Sequence, residues 1–115
     1  MAKSALFLFC LLIACSLSAQ ATHDPQGPMA WVDRYTGAHG QRCCGQADCE
    51  YATVALLGEA GPGQCELMIG SVVVVVPCDR VHRSEEAQGV VCRMSAQNHE
   101  IAAYNIRCAF PAENM

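Results

Sequence analysis

Residues 65–78 read Cys65-Glu66-Leu67-Met68-Ile69-Gly70-Ser71-Val72-Val73-Val74-Val75-Val76-Pro77-Cys78, and this stretch decides the fold class. Residues Cys65 to Ile69 alternate in polarity, Gly70-Ser71 is a two-residue link with glycine first, and five valines follow. Alternation, a short glycine turn and β-branched side chains together specify an antiparallel hairpin. Pro77 has no N–H to give a ladder and ends the return strand. With apolar groups on both sides, the valine strand is expected to be covered on both faces. A two-residue turn sets Ile69 opposite Val72, Leu67 opposite Val74 and Cys65 opposite Val76. Cys65 and Cys78 then share a face as diagonal neighbours about 7–8 Å apart, slightly too far for a disulfide, so their bridge calls for a bulge or a longer turn.

Outward from the hairpin, Gly61-Pro62-Gly63 is a turn, and Tyr51, Thr53, Val54, Leu56 and Leu57 form a β-prone run that ends at Gly58. On the other side, Cys78 to Arg83 connects and Ser84-Glu85-Glu86 reads as a capped turn. A short strand over Gly89–Met94 follows. Ser95–Tyr104 suits helix or loop equally, and Ile106–Phe110 is a final strand stopped by Pro111. Towards the N-terminus, Met29–Tyr35 fits one helical turn with Trp31 and Tyr35 on one face, and Gly37 is placed to stop it with a left-handed cap. Lone Trp31 reads as a core anchor. Gly37 to Asp48 has no apolar period and reads as a loop fastened by cysteines. The expected fold is mainly β: a small disulfide-stabilised antiparallel sheet with a cysteine-fastened N-terminal loop and at most one or two short helices. Its expected divisions are a signal peptide over 1–21, an exposed lead-in with the short helical turn over 22–42, and a disulfide-rich β domain over 43–115.

The chain has 115 residues, 9 of them Cys, with 52% hydrophobic and 16% charged residues, which allows one small domain. So many cysteines in so short a chain point to an oxidising, exported setting. Lys3 followed by the apolar run Ala5–Ala14 and the small-residue pattern Ala19-Gln20-Ala21 form a signal peptide, with cleavage expected after Ala21. That run is about half the roughly 20 apolar residues a membrane span needs. An alternative is Leu12-Ile13-Ala14-Cys15, which resembles the bacterial lipobox; acylation of Cys15 would anchor the protein in the envelope. Cleavage after Ala21 removes one charged residue, Lys3, so the net charge moves from −4 to −5 and nine cysteines become seven. This acidic balance disfavours nucleic acid as a partner.

The seven are Cys43, Cys44, Cys49, Cys65, Cys78, Cys92 and Cys108. They are expected to make three bridges and leave one thiol, with Cys65 joined to Cys78. A bridge between the neighbours Cys43 and Cys44 would close a tight ring, so they are expected to take separate partners. Cys92 and Cys108 lie in the last two strands and can meet each other or the Cys43/Cys44 loop. The chemical alternative is a copper or zinc site drawing on His39, Cys43, Cys44 and Cys49, with His82 or His99 as further donors. Its spacing is weak, because Cys44-x4-Cys49 has no matching second half. No motif supports catalysis: Gly-x-Ser-x-Gly and Cys-x-x-Cys are absent, and His99-Glu100 lacks the second His of a zinc-protease helix. Asp48, Glu50, Asp79, Glu85 and Glu86 read as a solvated acidic surface.

Two segments carry a resemblance. Cys43-Cys44-Gly45-Gln46-Ala47-Asp48-Cys49 and Val76-Pro77-Cys78-Asp79-Arg80-Val81, the latter with its sequel Val91-Cys92-Arg93 and Ile106-Arg107-Cys108-Ala109-Phe110-Pro111, together resemble small exported cysteine-rich proteins of alphaproteobacteria. Those have a Cys-Cys-x4-Cys loop, a Pro-x-x-Arg-Val segment and two late cysteines. Cys65 and Cys78 are additions to that pattern, as an extra bridge in the hairpin would be. Glu85-Glu86-Ala87-Gln88-Gly89 stands where the pattern has an Asp-Gly turn. The resemblance implies a bacterial envelope location and transfers no catalytic or binding residue. The expected function is that of a non-enzymatic binding or structural module with no cofactor and an unidentified partner, an envelope protein being one candidate; a soft-metal binder and a thiol-disulfide protein are the alternatives.

Overall fold

The computed structural model describes residues 27–43 and 48–112, and within them the 65–78 hairpin has the register its sequence predicts. The signal segment, Cys15 and Cys44 lie outside the described residues. The strands are β1 (Cys49–Ala52), β2 (Val54–Gly61), β3 (Gln64–Ile69), β4 (Val72–Pro77), β5 (Gly89–Arg93) and β6 (Ile106–Phe110). The fold is mainly β, as expected, but the strands divide into two three-stranded antiparallel sheets, ordered β1-β5-β6 and β2-β3-β4. The β-prone run expected over Tyr51–Leu57 breaks at Thr53, which separates β1 from β2. Gly70 N–H donates to the Thr53 carbonyl at 2.8 Å, so the tip of the hairpin holds this break in place.

Cys65 and Cys78 are bridged, with their Cα atoms 5.0 Å apart. Neither a bulge nor a longer turn is needed, because the β3–β4 ladder is continuous from Ile69↔Val72 to Gln64↔Pro77. Cys78 instead starts a 3-10 turn, Cys78–Arg80, and its N–H donates to the Gly63 carbonyl at 2.8 Å, which draws it in toward Cys65. The bulges of this sheet lie in β2, where the register shifts between Leu56 and Gly58 and again between Glu59 and Gly61.

The valine strand is covered on one face only. Val74 and Val76 are buried, while Val73 is 54% and Val75 41% exposed. Their inward face joins Val54, Leu67 and Ile69 against Val91, Ile106 and Ala109 of the other sheet, forming one core. A second core lies on the far side of that other sheet, where Val32, Cys43, Val90, Cys92, Cys108 and Phe110 meet. The order of layers is thus N-terminal segment, β1-β5-β6, β2-β3-β4. The doubly covered strand is β5, all five residues of which are buried.

The described part of the N-terminal region, 27–42, is not simply an exposed lead-in, since Val32 and Ala38 are buried. A 3-10 turn over Ala30–Arg34 seats Trp31 and Tyr35 edge-on, 6.1 Å apart, and both rings stand edge-on to Phe110. Gly37 is not a left-handed cap: its φ is −138°. Its role is close approach, because a Cβ there would lie 2.0 Å from the Arg107 carbonyl oxygen and 2.4 Å from the Cys108 sulfur. Arg34, Asp33 and Tyr35 keep the exposed side of this turn polar.

Cys49, Cys92 and Cys108 occupy successive register positions across β1, β5 and β6. Each sulfur can make one bond. Cys92 bonds Cys49, and Cys108 bonds Cys43 in the covering segment, so Cys92 and Cys108 do not bond each other although they are register partners. The free edge of β6 is occupied by the 81–84 segment: Val81 forms a parallel bridge with Ala109, and the N–H groups of His82 and Ser84 each donate at 3.0 Å to the carbonyls of Ala109 and Pro111.

Candidate functional site

The connection between the hairpin and β5 returns at Ser84–Gln88, and hydroxyl chemistry shapes it. Ser84, buried, accepts the Glu86 N–H at 3.1 Å and donates to the Gln88 carbonyl at 2.7 Å. Such a local serine turn replaces the ladder bonds a strand would supply. It presents Glu85 and Glu86 toward the N-terminal turn. Tyr35 donates its hydroxyl to Glu85 at 2.7 Å and Arg34 pairs with the same carboxylate. Glu86 accepts the indole N–H of Trp31 at 2.9 Å and the hydroxyl of Tyr51 at 2.9 Å. The hydrogen bonds to Glu85 and Glu86 hold the phenols of Tyr35 and Tyr51, respectively, above their ordinary value of 10, because ionisation would set each phenolate against a carboxylate.

Beside this cluster is an open cleft of about 340 Å³. Tyr51, Ala52 and Thr53 form one wall, Ala87, Gln88 and Gly89 the other, and Ala112 the end. The size is at the lower end of the range for small-ligand sites. Small side chains leave much of the lining as backbone, so carbonyl and N–H groups are within reach of a bound group. Gly89 is required there, since a Cβ would lie 2.7 Å from the Ala52 carbonyl. The Tyr51–Glu86 contact fixes one side of the cleft to the other, and Trp31 fixes Glu86 to the layer above. An arrangement of this kind can hold a small group through neutral polar contacts, with the Glu86 carboxylate next in sequence to the Ala87 wall.

The acidic residues singled out in the sequence fall into three environments. Glu85 and Glu86 belong to the aromatic cluster. Asp48 accepts from the Arg107 guanidinium at 3.0 Å, and Glu50 pairs with Arg93, whose side chain is only 7% exposed. That pairing holds Glu50 below its ordinary value of 4.5. Asp79 lies on the exposed surface at the Cys78–Arg80 turn, and Glu50 and Glu85 are exposed as well although each is paired with an arginine.

Those of the suggested metal ligands that lie among the described residues are not brought together, and Cys44 lies outside them. Cys43 and Cys49 are in separate disulfides with Cys108 and Cys92, which removes both thiolates from metal ligation unless those bonds are reduced. His39 is exposed at a small 3-10 turn, His99 is exposed, and His82 stacks on Tyr35 with a ring nitrogen 2.7 Å from the Thr36 carbonyl. Among the described residues, no three His, Cys, Asp or Glu side chains gather into a metal-binding group. The cleft was not legible beforehand: Trp31 and Glu86 are 55 residues apart, and no spacing rule links them. The signal that was available is Ser84-Glu85-Glu86 itself, a turn whose two carboxylates needed partners.

No protein-family model, curated protein or solved structure matches this chain. The three disulfides fit an oxidising extracellular or periplasmic location. No helix among the described residues is long and apolar enough to cross a membrane.

Proposed function

We propose that this chain is an exported, disulfide-stabilised bacterial envelope protein that acts as a non-enzymatic binding module, with the Tyr51–Gln88 cleft as its ligand site. The observation that carries this reading is the clamp on Glu86, which accepts from Trp31 and Tyr51 at once and so holds the cleft wall in one geometry before any ligand arrives. Preorganisation of that kind lowers the ordering cost of binding. Two of the disulfides, Cys43–Cys108 and Cys49–Cys92, serve the same end by limiting motion of the layers that carry Trp31 and Tyr51. Export follows from the Lys3 to Ala21 signal, and the partner is an envelope protein that offers a short extended segment to the backbone-lined cleft.

The test is photo-crosslinking in intact bacteria that express the full chain. A photoreactive residue at Gln88, in the cleft, is expected to give one discrete adduct. The same residue at Gln97, exposed elsewhere, is expected to give none. Equal adducts from both positions, or none from Gln88, would remove the cleft as the binding site. Intact mass of the same material is expected to begin at Thr22; a diacylated Cys15 at the N-terminus would replace the soluble form with the lipid-anchored one.

A further inference from the structure

The strand edges of this molecule are not equally protected. β6 is covered by the 81–84 segment, and β1 is only four residues long. The outer edge of β2 is interrupted by two register shifts and carries Glu59. Bulges, charges and short length are the usual devices that keep an edge from pairing with another chain. Over Val72–Val76, before Pro77, β4 has none of them: it carries no charge, its ladder with β3 has no shift, and among the described residues only β3 pairs with it. Among the described residues, no backbone hydrogen bond outside that ladder reaches Val72–Val76, and the neighbouring Ala103–Asn105 turn supplies none.

The hairpin fixes which groups face outward. Ile69 and Val72 flank the two-residue turn, so they exchange both backbone hydrogen bonds, and the same holds for every second pair along the ladder. Val72, Val74 and Val76 therefore point their N–H and C=O groups at β3, and Val73 and Val75 point theirs outward. Pro77 falls in the outward set, where its missing N–H costs the ladder nothing.

We propose that the outer edge of β4 pairs antiparallel with β4 of a second copy of this chain, with Val73 opposite Val75 of the partner subunit and Val74 on the two-fold axis. Five identical residues centred on Val74 make the strand its own complement. In this register the outward groups of Val73 and Val75 form two closed hydrogen-bonded pairs, four bonds in all. A shift by two residues in one direction sets Pro77 against an outward donor position, and a shift in the other moves Val75 opposite Ser71 in the turn. The outer apolar row Ala55, Met68, Val73 then continues into the Val75 position of the partner subunit, so side chains now exposed gain cross-strand neighbours. Assembly stops at two copies because each has one such edge.

The experiment is analytical ultracentrifugation of the full chain purified with its disulfides formed, with far-ultraviolet circular dichroism as the control for folding. The wild type is expected to sediment at twice the single-chain mass. V75P deletes the outward N–H of Val75 in each copy and leaves the β3–β4 ladder whole; it is expected to weaken the dimer at least about tenfold. V73K/V75K sets like charges opposite each other and is expected to be monomeric. V73E/V75K sets opposite charges across both pairs in this register alone and is expected to restore the dimer. A monomeric wild type, larger polymers, a V75P protein that associates as the wild type does, or charge variants that behave alike would each overturn the pairing.

Discussion

Gly37 shows how one residue is decided by its surroundings. The turn before it suggests a capping glycine, yet its backbone is not left-handed, and what it provides is the absence of a side chain where the Thr36–Arg42 loop meets β6. A Cβ would meet a backbone carbonyl and a bridged sulfur, neither of which can swing away. Gly37→Ala is expected to destabilise the protein by about 3 kcal/mol, the upper range for overpacking. Gly40→Ala, with φ +69° and nothing within 4 Å, is expected to cost only about 1 kcal/mol. Urea denaturation of the two variants checks both, and equal losses would show that the close approach at Gly37 is relaxed at no cost. The acidic residues make the same point: Asp48 and Glu50 look like ordinary surface carboxylates in the sequence, and each is paired with an arginine of the second or third strand of its sheet.

At the scale of elements, β1 is short and is held to β5 by the Cys49–Cys92 bridge and by the Glu50–Arg93 pair. The pair gives this contact a pH dependence. Glu50 titrates below its ordinary 4.5 in the folded protein, chiefly through the hydrogen bond from Arg93, so the folded state binds its proton less readily than the unfolded chain does. Its contribution is therefore fully present above 4.5 and is lost as pH falls through the lowered value. Glu50→Gln is expected to flatten the acid limb of the stability curve from the ordinary 4.5 downward and to leave the slope near neutrality unchanged. Urea midpoints across that range decide it; parallel curves for the two proteins would show that the pair does not couple protonation to folding.

On the same scale, an apolar character throughout suggests that the valine strand is covered on both faces, but composition reports only how well a strand tolerates burial. β5, with Gly89 and Arg93 at its ends, is the one buried on both faces, since it is the central strand of the central layer. Position in the stack, not hydrophobicity, made that choice.

For the whole molecule, the described residues form two modest cores; one disulfide ties the N-terminal segment to the β1-β5-β6 sheet, one lies within that sheet and one closes the hairpin, so among the described residues no disulfide joins the two sheets. Cys43–Cys108 spans 65 residues and fastens the N-terminal segment, in which the buried residues described before Cys43 are Val32, Gly37 and Ala38. Reduction and alkylation are expected to abolish the cooperative melt, because bridges of this kind contribute roughly 2–4 kcal/mol each, comparable to the net stability of so small a domain. Retention of the native far-ultraviolet spectrum after alkylation would show that the cores suffice alone. Six of the seven cysteines that follow Ala21 are paired, so blocking thiols in the unfolded, unreduced protein is expected to label one cysteine per chain, Cys44.

The sequence by itself determined the β class, the 65–78 hairpin with its register, the strand over Ile106–Phe110 and the Ser84 turn. Each rests on side-chain alternation, a turn pair or a hydroxyl within a few residues, and such local patterns set backbone conformation directly. Only the tertiary structure decided that six strands split into two sheets, that Cys92 bonds Cys49 while Cys108 bonds Cys43, and that Trp31, Tyr51 and Glu86 meet beside a cleft. Those outcomes depend on which faces stack on which. Every cysteine of the 49, 92 and 108 row was within reach of more than one partner, and a choice among near neighbours is made by the packing of whole layers, which no window of sequence contains.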